Sequence, residues 1–250
     1  MPLLQIQDVP PEEAIQYLES RLANPVGTYS WQDVWQAEHA RLFTVAKSSG
    51  YDVLGDISAA LDDTLKNGGT FEDFTRNLIP ALQDKGWWGT ARAVDPLTGI
   101  EGDVQLGSLR RLRTIFDTNM RMSYAAGRWM QVQRVKSDRP YLRYVHTASE
   151  HPRHEHLQWV GTTLPVDDPW WSTHYPPNGW GCKCSTISLS QNQYDAMAKQ
   201  GEIVTAAPAI SWKQFTNNRT GETMIVPAGI DPGFGYNVGQ AIIDALTGGG

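Results

Sequence analysis

The sequence SLRRLRTIFDTNMRMSYAAGRWMQVQRV, residues 108–135, predicts one long helix. Beyond Pro140 the pattern changes, because residues 141–146 and 183–189 alternate in the manner of strands. Helical segments also precede the long helix. The sequence therefore predicts an α+β fold, in which a helical N-terminal module and a long basic helix pack with a small strand–loop–strand subdomain. The apolar stripe of the long helix consists of Leu109, Leu112, Phe116, Met120, Tyr124 and Trp129.

The first hundred residues predict four helices. The first begins at residues 10–13, where Pro and Glu suit the first helical turn. Ser30 is a good N-cap for a second helix over residues 30–47. A third helix spans residues 52–66 and is followed by Asn and Gly, which end helices. A fourth, over residues 70–86, opens with the spacing of a capping box.

Composition and periodicity divide the chain into four regions. We expect short helices at residues 152–159, 191–200 and 238–246, and no internal repeat. The regions are a helical N-terminal region (1–88), a loop with room for a small hairpin (89–106), the long helix with a small β/loop subdomain (107–200), and an extended Gly/Pro-rich tail (201–250).

Charge is distributed unevenly along the chain. The net charge is −6, but residues 106–143 carry nine Lys or Arg against two Asp or Glu. Two interpretations fit this basic helix. Its arginines either pair with the acidic N-terminal helices, or contact nucleic-acid phosphates or an acidic partner. The candidates for DNA or partner contact, which recur at roughly helical spacing, are Arg110, Arg113, Arg121 and Arg128.

Several protein classes have no support in the sequence. The sequence contains no run of 18 apolar residues, so it predicts no transmembrane helix, and no membrane partner is expected. The N-terminus lacks the basic and apolar regions of a signal peptide, so we expect the protein to stay where it is made or to enter a particle assembled there. A single residue separates Cys182 from Cys184, which makes a disulfide between them strained. A reducing compartment is therefore favoured.

Five of the six histidines and both cysteines lie within residues 146–184. Thiolates and imidazoles are the ligands that zinc prefers, although this spacing matches no standard zinc finger. Alternatively, these side chains stabilise a loop-rich subdomain through hydrogen bonds and packing. Zinc is the only cofactor that the pattern suggests. Its candidate ligands are His151, His154, His156, Cys182 and Cys184.

The same cluster has an enzymatic interpretation. His154 and His156 flank Glu155 as an acid–base cluster would, and a cysteine with a histidine could form a nucleophile pair. This alternative is a metal-dependent or nucleophilic enzyme, nuclease-like or transferase-like. However, the sequence contains no HExxH, no Gly-X-Ser-X-Gly and no phosphate-cradling Gly loop. We therefore assign no catalytic residue and expect a protein that is not an enzyme.

Several motifs resemble the Mu F domain of phage head-morphogenesis proteins. That domain carries an acidic-X-X-Arg-X-X-His element, then a Gly and a Pro, and a closing Pro-Pro…Cys-Arg-Cys. Here Lys183 replaces the usual Arg, and Gly179 stands where many members carry a His. The residues that match the motif are Glu150, Arg153, His156, Gly161, Pro176, Pro177, Cys182 and Cys184. Similar segments elsewhere are residues 35–41, 85–88, 110–119, 125–129 and 235–239.

This resemblance implies a minor structural head protein of a tailed bacteriophage that acts in head morphogenesis. Such proteins are low-copy components of the procapsid and virion, and are found in the host cytoplasm during assembly. Their implied partners are portal and capsid proteins, through docking at the portal or the inner capsid. Some members bind DNA without sequence preference. The resemblance implies no enzymatic activity.

Overall fold

The computed structural model describes residues 11–147, 149 and 152–247. Glu150 and His151, named above as motif and metal candidates, lie outside the described residues, as does Pro10. The elements, in chain order, are α1 (Glu12–Leu22), β1 (Pro25–Gly27), β2 (Phe43–Val45), α2 (Leu54–Lys66), α3 (Phe71–Asp84), β3 (Thr90–Val94), β4 (Glu101–Gln105), α4 (Leu109–Val135), β5 (Tyr141–His146), α5 (His154–Gln158), β6 (Thr163–Pro165), α6 (Trp171–His174), β7 (Cys184–Leu189), α7 (Gln191–Lys199), β8 (Trp212–Thr216), β9 (Thr223–Pro227) and α8 (Val238–Thr247).

The fold is α+β, as predicted, with helices around α4 and small separate sheets. β1 and β2 pair in parallel, β3 and β4 form an antiparallel hairpin, and β8 and β9 form another. β5 is the centre of an antiparallel sheet in the order β6–β5–β7. Within the described ranges, no helix is both long enough and apolar enough to cross a membrane.

The long helix α4 contributes to two hydrophobic cores, as its length allows. Its N-cap, Ser108, accepts a hydrogen bond from the Arg111 backbone N–H. In its first half Leu112 is buried in a core formed mainly with α2 and α3. In its second half Trp129 is buried in a core shared with β5 and α8. α4 therefore connects the N-terminal module to the subdomain that carries the His/Cys segment.

The helices α2 and α3 confirm their predictions from sequence. Thr70 and Asp73 form the expected capping box: the Thr70 hydroxyl accepts from the Asp73 N–H, and the Asp73 carboxylate accepts from the Thr70 N–H. Apolar residues at helical spacing, such as Leu78 and Leu82, are buried as periodicity predicts.

The prediction of one helix over residues 30–47 is wrong. Ser30 is an N-cap, but of a 3₁₀ turn that spans only Trp31–Asp33. Trp35 is extended and Gln36 has a positive φ of 43°, so the helix cannot continue. The aromatic side chains belong instead to a stack, in which the Trp35 and Phe215 ring centroids are 5.5 Å apart. Tertiary packing with β8 has overridden the local pattern.

The described part of the C-terminal segment, residues 201–247, contains regular elements and buried side chains, whereas an extended tail was expected over residues 201–250. It contains the β8–β9 hairpin, which the sequence did not predict, and the helix α8, which it did. Side chains including Ile230, Phe234 and Ile242 are buried in the same core as Trp129. Its many Gly and Pro residues mark turns, but they do not indicate whether the apolar residues between those turns are buried.

Candidate metal centre and basic groove

Three chain segments bring His156, Cys182 and Cys184 together. His156 is on the short helix α5, Cys184 is the first residue of β7, and Cys182 is in the loop that precedes β7. The loop is held at both sides: the Cys182 N–H donates to the Gly179 carbonyl (3.1 Å), and Arg121 of α4 donates to the Cys182 carbonyl (2.7 Å).

The His156 ring is oriented toward both sulfur atoms. Its Nδ1 is 3.6 Å from Sγ of Cys182 and 3.6 Å from Sγ of Cys184. The ligand atoms of all three residues lie within 4.8 Å of one another. On the far side of the ring, Nε2 is 2.9 Å from the Gly229 carbonyl oxygen. A carbonyl only accepts, so Nε2 carries a proton, and in the neutral tautomer this leaves the Nδ1 lone pair facing the sulfurs.

Burial and mutual hydrogen bonding shift the pKa values of the two thiols in opposite directions. His156 and Cys182 are buried, and Cys184 is half-buried. A hydrogen bond from Cys184, with a further contribution from His156, lowers the pKa of Cys182 although burial opposes this. The same hydrogen bond and burial raise the pKa of Cys184. The two thiols therefore titrate as a coupled pair, in which a proton on one sulfur can be hydrogen-bonded to the other.

Arg153 of the family motif forms an ion pair with Asp231. Its guanidinium donates to Oδ2 of Asp231 (2.7 Å) and to the Trp180 carbonyl (3.1 Å), and Oδ2 also accepts from the Trp180 N–H (2.8 Å). A Cβ at Gly179 would lie 2.4 Å from both Nη1 of Arg153 and Oδ2 of Asp231. The ion pair therefore fills the space that a histidine at position 179 would need.

The remaining motif residues shape the backbone around the cluster. Gly161 has φ +88° in the turn before β6, and its carbonyl accepts from the Val204 N–H. The peptide bond between Pro176 and Pro177 is cis, and both residues line the cavity beside the cysteines.

The other histidine candidates do not join the cluster in the described part of the chain. His154 is exposed on α5, and its Nε2 is 3.2 Å from the side-chain amide of Gln158. His146 is directly opposite Cys184 across the β5–β7 ladder, but its ring is not within the cluster. The described residues thus bring together three of the five predicted ligands.

A cavity of about 360 Å³ adjoins the two cysteines. Arg121, Arg128 and Lys183 supply its cationic lining, and we call it the basic groove. Arg121 also donates to the Gly181 carbonyl, and Arg128 approaches the Thr186 carbonyl at 3.4 Å. No Asp or Glu among the described residues lines the groove, so its positive charge is not neutralised locally.

The other two arginine candidates lie outside this groove. Arg113 covers the Phe71 ring at 3.5 Å and is 3.9 Å from the Glu72 carboxylate, while Arg110 is exposed near the start of α4. Farther along α4, Arg134 forms an ion pair with Glu13 of α1. Some arginines of α4 therefore pair with the N-terminal helices, whereas Arg121 and Arg128 line the groove.

Sequence reasoning missed the contributions of residues 229–231. The Gly229 carbonyl orients His156, and Asp231 completes the ion pair with Arg153. No local motif marks these residues. Asn178 is different, because it lies within the recognised motif: its Oδ1 accepts from the Tyr144 hydroxyl (2.8 Å), and its carbonyl accepts from the Asp231 N–H (3.1 Å).

The His/Cys cluster and Arg153 lie on the motif that resembles the Mu F domain. Residues 55–187, which include α4 and the cluster, match the family model described as "Phage Mu protein F like protein". The chain therefore belongs to the phage Mu protein F-like family.

Two curated relatives are similar to this chain. It is 36% identical over 244 residues to "Putative capsid assembly protein F" of Escherichia phage Mu, covering 93% of this chain and 55% of that protein. It is 40% identical over 164 residues to "Mu-like prophage FluMu F protein" of Haemophilus influenzae, covering 66% of this chain and 38% of that protein. The chain thus matches about half or less of each relative's length. No solved structure matches the chain.

Proposed function

We propose that this chain is a minor structural head protein of a tailed bacteriophage and acts in capsid assembly. The observation that carries the proposal is the 36% identity, over 93% of this chain, to a relative whose name is that of a capsid assembly protein. The partners are the portal and capsid proteins of the same phage. The chain acts in the host cytoplasm during assembly and is retained in the procapsid and virion.

Exposed apolar residues on the β3–β4 hairpin support a docking role. Val94, Leu97 and Ile100 are each more than half exposed around the turn of this hairpin. Such side chains are commonly covered in protein–protein interfaces. We propose that the hairpin contacts the portal or the inner capsid surface.

Mass spectrometry of purified procapsids and mature heads tests this function. We expect the chain in both, and heads from a phage lacking its gene should be defective until the wild-type gene is supplied. A Leu97→Asp/Ile100→Asp variant should fold but be depleted from heads. Leu109→Asp is the control, since Leu109 is equally exposed but begins a helix, where an acid is tolerated. The absence of the chain from both particles would refute the role.

The basic groove supports a second feature of the proposal, contact with packaged DNA. Arg121, Arg128 and Lys183 present three cations on one surface, with no acidic residue among the described lining side chains. Such a surface binds phosphates without reading base sequence.

The enzymatic alternative has less support from the cluster's surroundings. Cys182 is 5% exposed and His156 is 2% exposed, so a substrate has little access to the Cys182 sulfur or to the His156 ring, although Cys184 is half-buried at the groove. The His156 Nδ1 faces two sulfurs, and its other nitrogen bonds a backbone carbonyl instead of an orienting carboxylate. We therefore propose that the chain is not an enzyme.

A further inference from the structure

We propose that His156, Cys182 and Cys184 bind one zinc ion, through Nδ1 and the two Sγ atoms. The site would join α5, the loop before β7 and the start of β7. The inference does not depend on a role in capsid assembly, because it rests on the cluster's own geometry.

The distances between the ligand atoms match those of a zinc site. Zinc bonds imidazole nitrogen at about 2.0–2.1 Å and thiolate sulfur at about 2.3 Å, in tetrahedral geometry. These lengths place nitrogen and sulfur about 3.6 Å apart around one ion. Both Nδ1-to-Sγ distances at His156 are 3.6 Å. An ion could therefore bind with little movement of the ring or of the sulfurs.

Nδ1 of His156 is equidistant from the two sulfurs, at 3.6 Å from each. With a proton on Nε2, the neutral ring has one lone pair, on Nδ1, and this lone pair faces both sulfurs. A zinc ion bound there would be shared by the ring and both sulfurs.

The surroundings of His156 are those of a metal-binding histidine. Such a histidine usually donates its other ring N–H to a carbonyl or carboxylate, which fixes the ring and raises its basicity. Here the Gly229 carbonyl accepts that hydrogen bond, and Trp159 stacks on the ring with centroids 5.0 Å apart. Zinc binding would thereby also stabilise the packing of residues near Gly229 against the subdomain.

Zinc takes four ligands, so one coordination position remains beyond the three side chains. Both Cys182 and Cys184 line the basic groove, whereas His156 does not. The groove gives water a route to that fourth position. The ligand set also favours zinc over magnesium or calcium, which prefer oxygen.

Elemental analysis of protein purified without chelator tests the site. We expect one zinc per chain, and X-ray absorption should show two sulfur ligands and at least one nitrogen ligand. Removing the metal with a chelator should lower the melting temperature by about 10 °C, since a tightly bound ion contributes that order of stability. Added zinc should restore the melting temperature, whereas magnesium should not.

Variants identify the ligands. His156→Ala, Cys182→Ser and Cys184→Ser should each lose zinc, whereas the control His154→Ala, on the same helix but outside the cluster, should retain it. Titration of metal-free wild-type protein with zinc and a competing chelator measures binding even if the ligand variants fail to fold. The proposal is overturned if that titration shows no uptake, or if mass spectrometry finds a Cys182–Cys184 disulfide in protein kept under reducing conditions.

Discussion

Gly127 of α4 packs directly against the backbone of Ala14 in α1. A Cβ at Gly127 would lie 2.9 Å from the Ala14 amide nitrogen and 3.3 Å from its Cα, so the helices approach too closely for any side chain there. The neighbouring Ala126 is fully buried in the core that also contains Trp129. The small residues at 125–127 therefore set how closely the N-terminal module packs on the long helix.

We expect Gly127→Ala to lower the free energy of unfolding by about 1–3 kcal/mol, because the methyl group forces α1 away from α4. Urea denaturation measures this. Gly55→Ala is the matched control, since Gly55 is also helical and a Cβ there meets nothing within 4 Å. The control should gain up to about 1 kcal/mol from helix propensity. Equal effects of the two substitutions would contradict the close-packing interpretation.

Asp231→Ala should destabilise the protein, because it breaks the ion pair with Arg153. Asp231 Oδ2 accepts from both the Arg153 guanidinium and the Trp180 N–H, so its loss removes two hydrogen bonds and leaves a cation unpaired. We expect about 2–3 kcal/mol for Asp231→Ala in thermal or urea unfolding.

The exposed pair of Arg92 and Glu101 on the β3–β4 hairpin is the control for this ion pair. Arg92→Ala should cost less than about 1 kcal/mol, because exposed ion pairs contribute little. If Asp231→Ala were as mild as this control, the ion pair would not be stabilising the loop that precedes β7.

The sequence predicted those elements whose signals are local. The capping box of Thr70 and Asp73 and the extent of the long helix depend on neighbours a few residues away, and both were placed correctly. Two residues of the predicted apolar stripe, Leu109 and Tyr124, are nevertheless exposed. Ser30 had an equally good cap signal, but Trp35 packs on Phe215, far away along the chain, and the helix does not form. Periodicity is a local pattern and therefore cannot predict such a long-range contact.

The candidate site likewise combines residues that the sequence indicated with residues that it did not. His156, Cys182 and Cys184 were three of the five ligand candidates that composition suggested, and the structure brings these three together. Their supporting groups come from Gly229 and Asp231, in a segment whose composition suggested an extended tail. A backbone carbonyl has no sequence signature, and a single Asp among glycines and prolines cannot be distinguished from a solvated loop charge.

Stability should fall in acid partly through His174. This side chain is buried against Trp170, with ring centroids 4.5 Å apart, and burial lowers its pKa from 6.5 to about 4. Above pH 6.5 neither the folded nor the unfolded state is protonated there, so the stability is fully present. As the pH falls from 6.5 toward 4, only the unfolded state binds the proton, and stability is lost.

Urea denaturation at about pH 7 and about pH 4.5 measures this effect, which we expect to be about 2 kcal/mol for one such histidine. Carboxylates also titrate in this range, so the comparison is with His174→Gln, which should show a smaller loss between the two pH values. An identical loss in the variant and the wild type would show that the His174 imidazole does not titrate as its burial requires.

DNA binding should depend on the basic groove more than on the start of α4. We expect Arg128→Ala/Lys183→Ala to weaken binding to a duplex of arbitrary sequence and to reduce the slope of log affinity against log salt by about 2, because each cation removed leaves one phosphate unbound. Arg110→Ala/Arg113→Ala removes the same charge, but Arg113 covers Phe71 beside Glu72, so the effect should be smaller. Fluorescence anisotropy at several salt concentrations measures both variants, with melting temperatures to confirm that they fold. If the two pairs changed the slope equally, affinity would follow net charge alone; if neither changed it, the groove would not contact DNA.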